Sequence, residues 1–139
     1  MLPREVLSEI QRIDEKIDVI SNTIENMNDS GSLNDISMMQ NIAVHYIIIA
    51  SSGLVETGIQ GIIKDYCNHK CEDDKLKKYI ESHLEREWTM NCPKIVKLLQ
   101  KFDPSWAKSF REEIQDNQKS AINSIKTNRD KCAHGDNNN

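Results

Sequence analysis

Near the end of the chain Arg129 is followed, after four intervening residues, by His134 in the string Asn128, Arg129, Asp130, Lys131, Cys132, Ala133, His134, Gly135. Histidine gives and takes protons near neutral pH, and arginine holds a fixed positive charge for an oxyanion. Side by side they could move protons at a reacting group and neutralise the charge that develops on it. With five Arg and four His in the chain, such a pair arises readily by chance, so its spacing alone is a weak signal. Its context says more. An apolar stripe precedes it, and Gly135 is a natural C-terminal stop for a helix. The plainer alternative is that Arg129 caps terminal carbonyls and His134 decorates the end of that helix.

Other groups carry less. Cys67, His69 and Cys71, with Cys92 downstream, offer zinc ligands, but the second close pair that structural sites use is missing. The four cysteines therefore read as free thiols, and no metal is expected. Adjacent carboxylates at Asp73 and Asp74, and at Glu112 and Glu113, point to different sides of a helix and read as solvated. There is no Gly-rich phosphate loop, nucleophile elbow or His-Glu-x-x-His. His45 lies in an apolar run and reads as a buried, hydrogen-bonded histidine. Glu56 is a carboxylate among apolar residues and calls for a partner, for which Arg129 is the candidate. Trp88 and Trp106 read as core or interface anchors.

The elements that must position these residues are helical. Ile10, Ile13, Ile17, Ile20, Ile24 and Met27 alternate at spacings of three and four, which predicts a helix from Arg4 to Met27. Asn28 to Ser32 is turn chemistry, with Asn34 or Asp35 available as a cap. A second helix is expected from about Ile36 to Tyr66, apolar on nearly every side between Ile42 and Val55, the pattern of a helix buried by several neighbours. Its small residues Ala50, Ser51, Ser52, Gly53, Gly58 and Gly61 would admit a close neighbour. A polar connection around Cys67 to Asp74 precedes helices at Lys75 to Glu87 and Pro93 to Lys101, the latter ended by Asp103, Pro104 and Ser105. Helix resumes from Trp106 to Ile114. A last one, introduced by Ser120, Ile122 and Ile125, carries the chain through His134. No segment alternates with period two. The expected fold is thus an all-α, mainly antiparallel bundle of about four to five helices with a long buried second helix. It forms a single domain over residues 1–135, with a polar tail at 136–139.

Composition sets the outer bounds. At 139 residues, 29% charged and 37% apolar, the chain suits one domain. Its net charge of −4 is not that of a general nucleic-acid binder. The charge is segregated, however: residues 1–36 hold three Lys/Arg against eight Asp/Glu, residues 75–101 seven against three, and residues 119–134 four against one. A basic patch from the second half could meet a polyanion. Met1 to Glu5 runs straight into alternating charge, and the apolar run Ile42 to Leu54 falls short of the ~20 residues of a membrane span. A cytoplasmic protein without membrane contact is expected.

The string from Asn128 to Gly135 resembles the Arg-polar-x3-His signature of the HEPN superfamily (higher eukaryotes and prokaryotes nucleotide-binding). The stretch Ala50 to Glu56, small residues leading to an acid on a long second helix, is similar to the corresponding helix of that family. Residues from about Cys67 to Lys119 match only in being helical, and Asp130 stands where Asn is more usual. The resemblance implies a metal-independent endoribonuclease of toxin or defence type, without cofactor. Arg129 and His134 would be catalytic, Glu56 and Asp130 supporting, and Lys126 and Lys131 would meet the RNA. Cleavage through the substrate's own 2′-hydroxyl needs a base, an acid and positive charge on the transition state, which histidine and arginine can supply. Residues five apart on a straight helix lie about 140° apart, so either the helix end unwinds at Gly135 or a second copy supplies the partner. The resemblance implies a homodimer with both motifs in one cleft, with a cognate antitoxin or defence partner possible. Alternative readings are a non-catalytic HEPN module binding nucleotide, RNA or protein, and a helical scaffold pairing through its Ile stripe.

Overall fold

Isoleucines alternating three and four residues apart wind the first segment into a helix with one apolar stripe, and the next apolar segment lies back along that stripe. A computed structural model describes residues 4–86 and 90–134, without the side chains of Asp29 and Ser30. Among the described residues there are six helices and no strand: α1 Arg4–Ser30, α2 Leu33–Lys70, α3 Asp74–Leu84, α4 Cys92–Phe102, α5 Pro104–Glu113 and α6 Asp116–Ala133. The all-helical bundle expected from the periodicity is therefore present.

Its boundaries differ from expectation where local caps decide them. Ser32, rather than Asn34 or Asp35, caps α2, its Oγ accepting the Asp35 N–H at 3.2 Å. With nothing to break it, α2 runs through Cys67 to Lys70, where a connection was expected. Asp73 caps α3 by accepting from the N–H groups of Lys75 (2.8 Å) and Leu76 (3.0 Å). The expected end of α3 at Glu87 lies outside the described residues, as does Trp88. Asp103 ends α4 and also opens α5. Its Oδ1 accepts from the backbone N–H (2.8 Å) and hydroxyl (2.7 Å) of Ser105, and Pro104 sits in the first turn where its missing N–H costs nothing. The last helix starts at Asp116, earlier than the apolar residues indicated, because Gln115 N–H finds Gln118 Oε1 at 3.1 Å.

α1 and α2 form an antiparallel hairpin. Val6 Cγ1 lies 3.9 Å from the position a Cβ on Gly58 would take, and Lys16 Nζ stands 5.4 Å from the centre of the Tyr46 ring. The larger core lies at the other end of α2, where Ile63 and Cys67 cluster with Leu84, Met90, Ile95, Leu98, Leu99 and Ala107. Two side-chain bonds stitch this end together. Gln60 Nε2 donates to the Leu84 carbonyl (3.0 Å), and Asn123 Oδ1 accepts from Cys92 N–H (3.0 Å).

The expectation of a helix buried along its length is corrected. In α2 only Ile36, Ala43, Ser52, Ile63 and Cys67 are buried, while Met38, Ile42 and Ile49 are 63%, 56% and 57% exposed. One neighbouring helix covers one stripe; α1 lies along the first half of α2, where Lys16 meets Tyr46, while the core cluster of the described residues gathers around Ile63 and Cys67 in its second half. By length and composition α2 is also long and apolar enough to cross a bilayer, since uncharged residues around Ile42 to Leu54 extend that run. The sequence expectation that it falls short is thereby revised.

The two deepest large side chains, Ile63 and Ile95, are each 1% exposed. Truncating either to Ala should cost about 2–5 kcal/mol in urea unfolding, through lost transfer energy and the cavity left behind. A loss below ~1 kcal/mol would show that the core is not centred there.

Candidate functional site

The position of α6 is set by packing before any site chemistry enters. Ile122 lies against the core cluster, and Asn123 holds the first turn of α4. One to three turns further on, the same helix carries Lys126, Arg129, Asp130, Lys131 and His134. Arg129 is half-buried, while Lys131 and His134 are exposed. His134 is the C-cap, with φ −91° and ψ 1°, and its N–H donates to the Asp130 carbonyl at 3.1 Å. The helix therefore does not unwind between Arg129 and His134. Their directions about its axis differ by about 140°, and one copy does not aim both at a single atom. Gly135 lies outside the described residues.

Asp130 is the electrostatic centre of this helix end. Lys126, one turn earlier, donates to its Oδ2 in a half-buried ion pair. That bond holds the Asp130 carboxyl below the usual carboxylate range, and the charges of Lys126, Arg129 and His134 add to it, against an opposing effect of partial desolvation. The groups that act on Asp130 all come from α6. Lys126, expected to meet RNA, is thus already engaged by a carboxylate. The i,i+4 spacing of this pair is legible in the sequence.

Glu56 lies on α2 in a hollow shared with Thr57, Gln60 and Glu85. It is half-buried, so the argument that a buried carboxylate must have Arg129 as its counter-ion loses part of its force. His45 is half-buried rather than buried, and its Nδ1 lies 2.8 Å from the carbonyl oxygen of Asn41. Trp106 is a packing residue as expected, edge-on to Tyr66 at 4.9 Å between ring centres. Tyr66 and Phe102 join it to form an aromatic cluster that the periodicity did not reveal.

The cysteines do not assemble into a centre. All four are free thiols, with Cys67 and Cys92 buried and Cys71 half-buried. Burial pushes both buried thiols up, away from the thiolate form that metals and electrophiles require. His69 turns its Nδ1 to the Asp65 carbonyl at 2.7 Å. Among the described residues no group of three or more His, Cys, Asp or Glu side chains is placed to hold a metal ion.

No family model matches the chain, and no curated protein or solved structure matches it significantly.

Because its folded pKa is depressed, Asp130 contributes stability that is present above the ordinary carboxylate range and lost as pH falls through the lowered value. Carboxyl-detected NMR should find Asp130 titrating below the ordinary carboxylate range. Lys126→Met should return it toward the ordinary range. An unchanged titration in that variant would mean that the pair does not form in solution.

Proposed function

We propose that this chain is a HEPN-type, metal-independent endoribonuclease that acts in the cytoplasm as a homodimer. Arg129 would stabilise charge on the phosphorane-like transition state, and His134 would transfer protons to and from the 2′-hydroxyl and the leaving oxygen. The observation that carries this reading is the helical course of residues 129 to 134, which keeps the two side chains about 140° apart. Within one chain they serve different directions. Across a twofold axis, Arg129 of one copy and His134 of the other could face the same phosphate, and one histidine could act as base while the other acts as acid. Lys131, exposed beside them, would hold the RNA backbone, while Glu56 would act from α2 as a supporting group. An antitoxin or a defence partner would regulate it.

The first half of α2 supports the dimer. Met38, Ile42, His45 and Ile49 repeat at spacings of four, three and four on one face, the seam pattern of paired helices. Three of the four are large apolar side chains that are mostly exposed. A second reading, a non-catalytic HEPN module that binds RNA, nucleotide or a protein, is favoured by one observation. The Asp130 carboxylate occupies Lys126 and puts negative charge where the phosphate would lie.

Sedimentation of the wild-type chain at micromolar concentration should give twice the chain mass, and Ile42→Asp/Ile49→Asp should give a folded species of single mass. A wild-type monomer would sink the shared-cleft mechanism, and vesicle association of the wild type would assign the apolar face to lipid instead.

Cleavage should persist in EDTA, leave a 2′,3′-cyclic phosphate and spare DNA. His134→Ala should lower kcat by about 10²- to 10⁴-fold. Arg129→Ala should lose ~3 kcal/mol or more of transition-state stabilisation, and the two losses should not add. RNA that binds but is never cut would favour the non-catalytic module.

A further inference from the structure

Where α1 lies against the first half of α2, the two helices part around a hollow of about 340 Å³. Most of its wall is aliphatic. Val19 and Ile20 come from α1 and Met39, Ile42 and Ala43 from α2, and none of these side chains gives or accepts a hydrogen bond. The body of any occupant must therefore be apolar. Ala43 is buried and forms the floor, while Val19 and Ile42 are 64% and 56% exposed, so the hollow opens between two large apolar side chains that the described residues leave uncovered. Its volume falls at the low end of small-ligand sites, about 300–1,000 Å³.

One part of the wall differs. Lys16 and Tyr46 complete the lining, with the ammonium 5.4 Å from the centre of the ring. That contact steadies the ammonium beside the hollow, but the ring is neutral and leaves the charge uncompensated. Among the described residues Lys16 forms no ion pair. The sequence shows why: the positions three and four residues from Lys16 are Arg12, Ile13, Val19 and Ile20, and α2 has no acidic residue between Asp35 and Glu56. Asp14, Glu15 and Asp18 stand on other faces of α1. A second copy seated through the same stretch of α2 would bring Lys16 no counter-ion from that stretch, and an anionic bilayer would meet the acidic faces of α1. A single amphipathic anion meets neither obstacle.

We infer that this hollow binds a free aliphatic carboxylate of medium chain length, its chain lying on Val19, Met39 and Ile42 and its carboxylate meeting Lys16. The site is separate from Arg129 and His134, and it stands whether or not the chain cuts RNA. Affinity comes from the chain and orientation from the cation, because an exposed ion pair contributes little while each methylene removed from water contributes about as much as one such pair. Ile42 also belongs to the proposed dimer face, so the test rests on other residues.

The test titrates the full chain with octanoate, decanoate and dodecanoate below their micelle concentrations, followed by calorimetry and by NMR of the methionine methyl groups. One ligand should bind per chain, and Kd should fall about fourfold for each added methylene, the ~0.8 kcal/mol of its burial converted at ~1.4 kcal/mol per tenfold. The Met39 methyl signal should shift and saturate, while that of Met90, in the main core, should stay in place. Val19→Asp, which sets a carboxylate at the mouth, should weaken decanoate by about tenfold or more. Lys16→Met keeps the apolar stem and removes the charge, so it should weaken decanoate by about two- to fivefold and leave decan-1-ol within about twofold. Both residues are exposed, and circular dichroism should show both variants folded. A Kd indifferent to chain length or to Val19→Asp overturns the site, as does a shift at Met90 without one at Met39. Equal losses of decanoate and decan-1-ol in Lys16→Met overturn the carboxylate's place. Two further results would give the hollow to another occupant and overturn the inference. One is binding to phosphatidylcholine vesicles, lost in Val19→Asp, by a chain that takes no free decanoate. The other is a Val19→Asp chain that sediments at half the wild-type mass when neither binds decanoate.

Discussion

The packing of α3 to α6 onto the second half of α2, around Ile63 and Ile95, is the constraint from which the other features follow. A helix of 38 residues is far longer than the layer that four short helices can build around it. Once those helices have gathered at one end, the other end can be covered only by α1. The same packing fixes the roll of α6, through Ile122 on the core and Asn123 on the Cys92 amide. The direction in which Arg129 and His134 project is therefore a consequence of core formation several turns away. It also leaves the ends of α3 and α4 standing around a hollow with their aromatic residues outward.

How far the sequence discloses this arrangement depends on which force decides each feature. The stripe from Ile10 to Met27 identifies α1 because its one apolar face meets one neighbour, as periodicity assumes. The run from Ile42 to Val55 misleads for the same reason. Apolar residues on every side state how much surface asks to be covered, but not whether this chain does the covering. Boundaries set by a single side chain are the least legible. Ser32 takes the cap that Asn34 and Asp35 could equally have taken, and Asp103 ends one helix with the same carboxylate that starts the next. Propensity ranks these residues together, and only the tertiary path selects among them.

At the candidate site, the residues on one element were readable and the relations between elements were not. Arg129, Asp130 and His134 share a helix, so their spacing gives their angles, and the structure keeps that helix intact to the cap. A link from Glu56 to Arg129 depends on the cost of burying a carboxylate. That cost falls when the residue is half-exposed, as Glu56 is. The pairing of Lys126 with Asp130 is the converse case, a local contact visible in the spacing whose weight appears only when its burial is known. A half-buried ion pair at a helix end removes one cation from any ligand and fixes the position of one anion.

Under the proposed reading, that removal is what makes assembly matter. A phosphate approaching Arg129 in a single copy meets a carboxylate on the next residue, and the nearest lysine on that side is already bound to it. His134 lies round the helix, about 140° from Arg129. In a pair of copies related by a twofold axis, each Asp130 remains neutralised by its own Lys126, while two arginines, two Lys131 side chains and two histidines add their fields in the space between. The positive charge facing the phosphate then doubles without any rearrangement inside either chain.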